Sequence, residues 1–167
     1  GGPASVYAEG APQIADYILD SGLPILGICY GMQALTHALG GQVDPSSERE
    51  FGVATVKLTD STPLLPTPEF HALMSHGDRI TRLPEGFISL AKSGNSPVAA
   101  MGDLEHNYYG VQFHPEVHHT PSGSEILRRF AVEICNATPN WTAESIIESK
   151  VEEIRQQVGD KRVLSAV

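Results

Sequence analysis

Apolar and polar positions along the chain fall into segments of two periods. Ile14, Ile18 and Leu19 share one face of a helix opening at Pro12. The apolar run over 23–28 reads as a buried strand. Met32, Leu35 and Leu39 follow at helical spacing, and Gly40-Gly41 stops that helix. Residues 45–50 are polar and read as a loop, whereas 51–58 alternate as a half-buried strand does. Pro63, Pro66 and Pro68 mark a surface excursion. A strand over 70–76 is expected to run into a turn at Gly77-Asp78, with short strands at 87–91, 98–100 and 109–113. Ile126, Leu127, Phe130, Ala131 and Ile134 predict a helix from about Gly123. After a linker at 136–140, Thr142 is placed to cap an amphipathic helix carrying Ile147, Val151, Ile154 and Val158, which Gly159 ends. Strands interleaved with helices predict an α/β domain of three layers, αβα, around a mainly parallel sheet. Sites in such sheets form beyond the carboxyl ends of the strands.

Composition narrows the class. Of 167 residues, 41% are apolar and 19% charged, which places the chain among folded globular proteins. A formal net charge of −9 argues against a nucleic-acid partner, which would need a basic face. Two cysteines, Cys29 and Cys135, are too few for a disulfide framework and suit a reducing compartment. With no membrane-length apolar run and no signal-peptide pattern, a cytoplasmic location without membrane contact is expected. The opening Gly1-Gly2-Pro3 and a strand-like close over 161–167 suggest a piece of a longer protein.

The candidate chemistry centres on Gly27-Ile28-Cys29-Tyr30-Gly31. A strand, a sharp turn and a helix with a cysteine at the turn form the cysteine version of a nucleophile elbow. Both glycines are expected where a Cβ would clash, and the helix N-terminus is expected to favour thiolate. A cysteine at a strand end is otherwise a packing residue, so the motif needs a base. Gly110-Val111-Gln112-Phe113-His114-Pro115-Glu116 offers one. An apolar strand delivers His114, and Glu116, two residues on, points the same way. Pro115 favours an extended His114. A thiol needs a base, and the base an orienting third group; Cys29, His114 and Glu116 can fill these roles in order. A metal cluster from His114, Glu116, His118 and His119 is the alternative. His118 and His119 read better as loop residues, His37, His71 and His106 as ordinary helix, strand and turn residues, and Cys135 as packing.

Taken together, Gly-Ile-Cys-Tyr-Gly-Met-Gln and Gln-Phe-His-Pro-Glu resemble the class I, triad-type glutamine amidotransferases, with a flavodoxin-like fold. The segments Gly1-Gly2-Pro3-Ala4-Ser5-Val6-Tyr7, Met74-Ser75-His76-Gly77-Asp78, Glu116 to Pro121, Trp141-Thr142 and Val158 to Leu164 are similar to members whose synthetase domain aminates XMP to GMP. The resemblance implies Cys29 as nucleophile, His114 as base and then acid, and Glu116 as orienter. It implies an oxyanion hole from the N–H groups of Gly2 and Tyr30, and glutamine held by Gln33, Ser75, Gly77 and Asp78. It implies an amidotransferase domain over 1–137 lacking its first strands. Residues 138–167 would form a linker helix and the first strand of an ATP-pyrophosphatase domain of the same parent chain. No cofactor or metal is implied for glutamine hydrolysis. ATP and Mg²⁺ belong to the synthetase domain, and the parent is expected to be a homodimer. The amidotransferase of another pathway, a regulatory module with an unproductive triad, and a metal hydrolase remain as alternatives.

Overall fold

The computed structural model describes residues 5–140 and 142–164. Trp141 lies outside them, as do Gly1 to Ala4, and with them Gly2 and the Gly1-Gly2-Pro3 segment. The chain divides into two compact units after Asn136.

The first unit carries a six-stranded sheet. Its strands are β1 (Ile25–Ile28), β2 (Gln42–Leu58), β3 (Glu69–Arg82), β4 (Ile88–Lys92), β5 (Ala100–Asp103) and β6 (Tyr108–Val111), in the order β1-β6-β5-β4-β2-β3. Helix α1 (Asp16–Leu19) is a single turn, shorter than its apolar spacing suggested. Helix α2 (Tyr30–Ala38) follows β1 directly. Helix α3 (Gly123–Arg128) continues as π-helical turns over Arg129–Ile134, where Cys135 N–H donates to Phe130 O at 2.9 Å.

The class is α/β as expected, but the sheet is mixed, not mainly parallel. Among the described strands only β1 and β6 pair in parallel, and the other neighbours are antiparallel. Connection length explains this. Short links join β2 to β3, β4 to β5 and β5 to β6, and short links permit only antiparallel return, whereas parallel pairing needs a long crossover such as the excursion between β1 and β6. The polar stretch over 45–50 is no free loop. It lies inside β2, which pairs with β3 along a long hairpin, with a register shift between Pro45 (opposite Asp78) and Glu50 (opposite His76). Gly77-Asp78 is likewise part of β3, not a turn.

Alternate residues along the strands feed two cores. Tyr109, Val111 and Ala100 pack with Phe113, Phe70, Ile126 and Ile134; Met101 packs with Met32, Leu35, Val43 and Ile80. The two helical segments therefore cover different faces, which gives the expected three layers. Phe113 is fully buried, edge-on to Phe70 at 5.4 Å, and burial of such a ring is worth about 2–3 kcal/mol. It anchors the chain immediately before His114.

In the second unit, α4 (Ala143–Val158) begins with a reciprocal cap: Thr142 Oγ1 accepts from Ser145 N–H and Ser145 Oγ from Thr142 N–H. Gly159, at φ 51°, ends it. Ile147, Val151 and Ile154 are exposed on it. Residues 161–164 form no strand. No described helix is long and apolar enough to cross a membrane.

Candidate active site

The parallel pair builds the site. Ile28 is in register with Val111, so the residues leaving the carboxyl ends of β1 and β6 emerge side by side. From β1 comes Cys29, whose N–H donates to Val111 O at 2.8 Å. From β6 come Gln112, Phe113 and His114.

Cys29 sits at φ 51°, ψ −107°, at the N-cap of α2. A non-glycine residue there is strained by about 1–3 kcal/mol, as befits an elbow that turns a strand into a helix within one residue. Gly27 makes the turn possible. A Cβ on it would lie 2.7 Å from the backbone of Gly31 and Met32, so α2 passes directly behind β1. Gly31 corrects the expectation of two crowded glycines: a Cβ there meets nothing within 4 Å.

The thiol is buried. Its Sγ lies 3.7 Å from Ser75 O, and Gln112 Nε2 donates to it at 3.7 Å. Burial pushes the Cys29 thiol above 9.0; the N–H of Tyr30 and the Gln112 amide pull it down, and the Glu116 charge adds to the rise. Desolvation is therefore the largest influence on the thiol, larger than the Tyr30 N–H at the start of α2, and it acts against the thiolate that the dipole favours. The sign sets a prediction. Alkylation of Cys29 by iodoacetamide should rise about tenfold between pH 7 and 8 and keep rising above pH 8, because the thiolate is a small fraction below the raised pKa. A plateau beginning below pH 8 would mean that the thiolate is preformed.

His114 is fixed at three points. Its N–H donates to Leu73 O at 3.0 Å, Thr120 Oγ1 donates to its carbonyl at 2.7 Å, and Nδ1 meets Glu116 Oε1 at 2.7 Å. A carboxylate can only accept, so Nδ1 carries the hydrogen, which in the neutral ring leaves the lone pair on Nε2. Thr120 also accepts from Leu73 N–H at 3.0 Å, tying the His114 turn to β3. Among the described residues the hydrogen-bond partners of Sγ do not include His114.

Gln33 is buried on α2. Its Nε2 donates to Asp78 O at 3.3 Å and Gln112 Oε1 at 3.2 Å. Asp78 Oδ1 accepts from the Tyr7 hydroxyl at 3.2 Å. The Ser75 carbonyl, the Tyr30 N–H and the Gln112 amide thus meet the thiol directly, and Gln33 and Asp78 are linked to it through Gln112. Gly77 is on the same strand, and a Cβ on it would meet the Arg49 side chain at 3.7 Å. His118 and His119 stack on each other at 3.7 Å, and among the described residues no three His, Cys, Asp or Glu side chains converge as metal ligands. His37 and His71 are exposed, and His106 pairs with Asp103 at 2.7 Å. The half-buried Cys135 thiol is also raised by desolvation. Gln112, Thr120 and Gly123 carry site geometry without having been assigned a role. Gln112 could have been suspected as a polar residue inside an apolar strand end; Thr120 has no local signal.

Comparisons with known proteins give the family. The family described as glutamine amidotransferase class-I matches residues 1–134. A glutamine-hydrolyzing GMP synthase of Lactococcus lactis subsp. cremoris is 52% identical over 166 residues, 98% of this chain and 32% of that protein. One of Thermomicrobium roseum is 54% identical over 170 residues, 100% of this chain and 32% of that protein. The chain thus spans about a third of the length of these curated relatives. A crystal structure from Thermoplasma acidophilum, described as one subunit of GMP synthase, superposes with a TM-score of 0.67 at 33% identity, covering 84% of this chain and 65% of that one. A glutamine amidotransferase of Thermotoga maritima has a TM-score of 0.55 at 23% identity, covering 87% of this chain and 54% of its own, and shares the fold.

Proposed function

Because the chain belongs to the class-I glutamine amidotransferase family, we propose that it hydrolyses the side-chain amide of glutamine through a thioester on Cys29. The observation that carries this reading is the parallel register of β1 and β6, which brings a strained, buried cysteine and a carboxylate-bound histidine out of adjacent strand ends.

The chemistry follows from the groups present. His114 Nε2 takes the proton from Cys29 Sγ as the sulfur attacks the amide carbon. The base is required because the resting thiol is raised. The Tyr30 N–H, already directed at the sulfur, supplies one donor to the oxyanion; Gly2 is proposed for the other. His114 returns the proton to the departing nitrogen, and ammonia leaves. Water, deprotonated by the same imidazole, cleaves the thioester to glutamate and regenerates the thiol. Glu116 holds Nδ1–H throughout and stabilises the imidazolium. Gln33, Ser75, Gly77 and Asp78 are proposed to hold the amino-acid end of the substrate.

The names of the relatives support a further proposal for the whole protein. The ammonia would be used by a synthetase domain to aminate XMP to GMP, with residues 138–167 leading into that ATP-pyrophosphatase domain. ATP and Mg²⁺ would bind there. A cytoplasmic homodimer is proposed for the parent.

The test is labelling with 6-diazo-5-oxo-norleucine, an electrophile shaped like glutamine, with the adduct mapped by mass spectrometry. We expect modification of Cys29 and not Cys135, prevented by excess glutamine. Equal labelling of both thiols, or labelling that glutamine does not prevent, would refute a glutamine site.

A further inference from the structure

The mechanism leaves one buried ionisable pair unused. Glu50 and His76 face each other across β2 and β3, with side chains 9% and 3% exposed. Their Oε2 and Nε2 are 3.2 Å apart, and Ser93 Oγ donates to the same Oε2 at 2.8 Å. On the other side of the ring, His76 Nδ1 lies 2.9 Å from Asp78 O. A carbonyl can only accept, so Nδ1 donates, whichever of Glu50 and Nε2 holds the proton between them. The same Asp78 carbonyl accepts from Gln33 Nε2, Gln33 donates to Gln112, and Gln112 donates to Cys29 Sγ. A continuous hydrogen-bonded chain therefore runs from Ser93 through Glu50, His76, Asp78, Gln33 and Gln112 to the thiol.

The backbone is shaped to make this pair. Between Pro45 and Glu50, four residues of β2 stand against one of β3, Gly77, and a Ser46–Glu48 turn closes the bulge. The bulge returns Glu50 to a buried position opposite His76. Bulges beside sites commonly re-aim a side chain in this way. A half-satisfied buried ion pair costs more than an apolar core, so an arrangement with every partner present indicates a demand that simple packing does not make.

We infer that Glu50 and His76 are positioning residues for the glutamine site. They hold the Asp78 carbonyl, which sets the amide of Gln33 and, through Gln112, the environment of Cys29. Neither touches the reacting atoms. The inference rests on the proposed glutamine site, and its test carries one readout that needs no activity.

In the full chain, His76→Leu is expected to raise KM for glutamine about tenfold, the worth of one buried hydrogen bond, with kcat within about threefold. His76→Asn, whose Nδ2 can stand where Nδ1 stood, should bring KM back toward the wild-type value. In ¹⁵N NMR spectra the side-chain amide signals of Gln33 and Gln112 should move in His76→Leu and return in His76→Asn. A folded His76→Leu chain with unchanged KM and unchanged amide signals would overturn the inference. So would a leucine defect that asparagine does not relieve in either readout. Should His76→Leu fail to fold, Glu50→Gln is read the same way: shifted amide signals with a smaller rise in KM support the inference, and no change in either overturns it. If the wild-type chain hydrolyses no glutamine, the proposed function falls and the amide signals alone decide this inference.

Discussion

Alanine at position 29 is expected to leave the chain folded and to lower glutamine hydrolysis, measured as ammonia release, by about 10⁴-fold or more. The loss is large because a covalent route has no substitute once the sulfur is gone. His114 could still polarise water, but Gln112 and the Ser75 carbonyl meet the position of a sulfur, not of a water aimed at an amide. Glycine at the same position separates strain from chemistry. Cys29 holds φ 51°, ψ −107°, a conformation that costs a side-chain-bearing residue and not glycine. Cys29→Gly should be as inactive as Cys29→Ala and more stable than it by about 1 kcal/mol, read as a higher melting temperature. Hydrolysis within about tenfold of wild type in either variant would remove Cys29 from the mechanism. Equal stability of the two would mean that the turn is relaxed.

Gly123→Ala is expected to destabilise the chain by about 3 kcal/mol and to lower kcat about 10²-fold with little change in KM. A Cβ at Gly123 would sit 1.9 Å from Pro115 O and 2.8 Å from its carbonyl carbon. Both are backbone atoms, so no side-chain rotation relieves the clash. Either α3 moves, against the fully buried Ile126, or the turn at residues 114–116 moves, against Phe113, Leu73 O and Thr120. Displacement of that turn shifts the imidazole relative to the thiol by a distance that matters for proton transfer. Gly31→Ala is the control. Its Cβ meets open space, and alanine suits a helix better than glycine, so stability should be unchanged or slightly raised. Thermal melts and steady-state kinetics on both variants check the pair of outcomes. A Gly123→Ala chain that melts and turns over like wild type would show that the contact yields at no cost.

Much of the site was legible because its signals are local. The elbow needs only a strand, a turn residue and a helix in succession, and 23–39 shows all three. His114 and Glu116 lie two residues apart in an extended segment, so their pairing follows from backbone geometry alone. The Thr142 cap and the Gly159 stop of α4 are local in the same sense. What these motifs could not state is which elements lie side by side.

That adjacency was decided by tertiary structure. Short links between strands made most of the sheet antiparallel and left β1 and β6 as the one parallel pair among the described strands, and it is this pair that joins Cys29 to His114. Polar residues over 45–50 read as a loop because hydrophilic stretches usually face water. Instead Glu50 is buried in β2, since His76 and Ser93, far along the chain, satisfy its carboxylate. Gln112 and Thr120 gained their roles from partners on other elements: Cys29 and Gln33 for the first, Leu73 and His114 for the second. The same holds for the charge state of the thiol. The sequence puts a helix N-terminus behind Cys29, which favours thiolate; the fold buries the sulfur, which favours thiol, and burial is the larger effect. By itself the sequence determined which residues can react and how each is presented on its own segment. Burial and pairing between distant segments depend on contacts that no local pattern encodes, and only the tertiary structure decided what surrounds those residues and why they need one another.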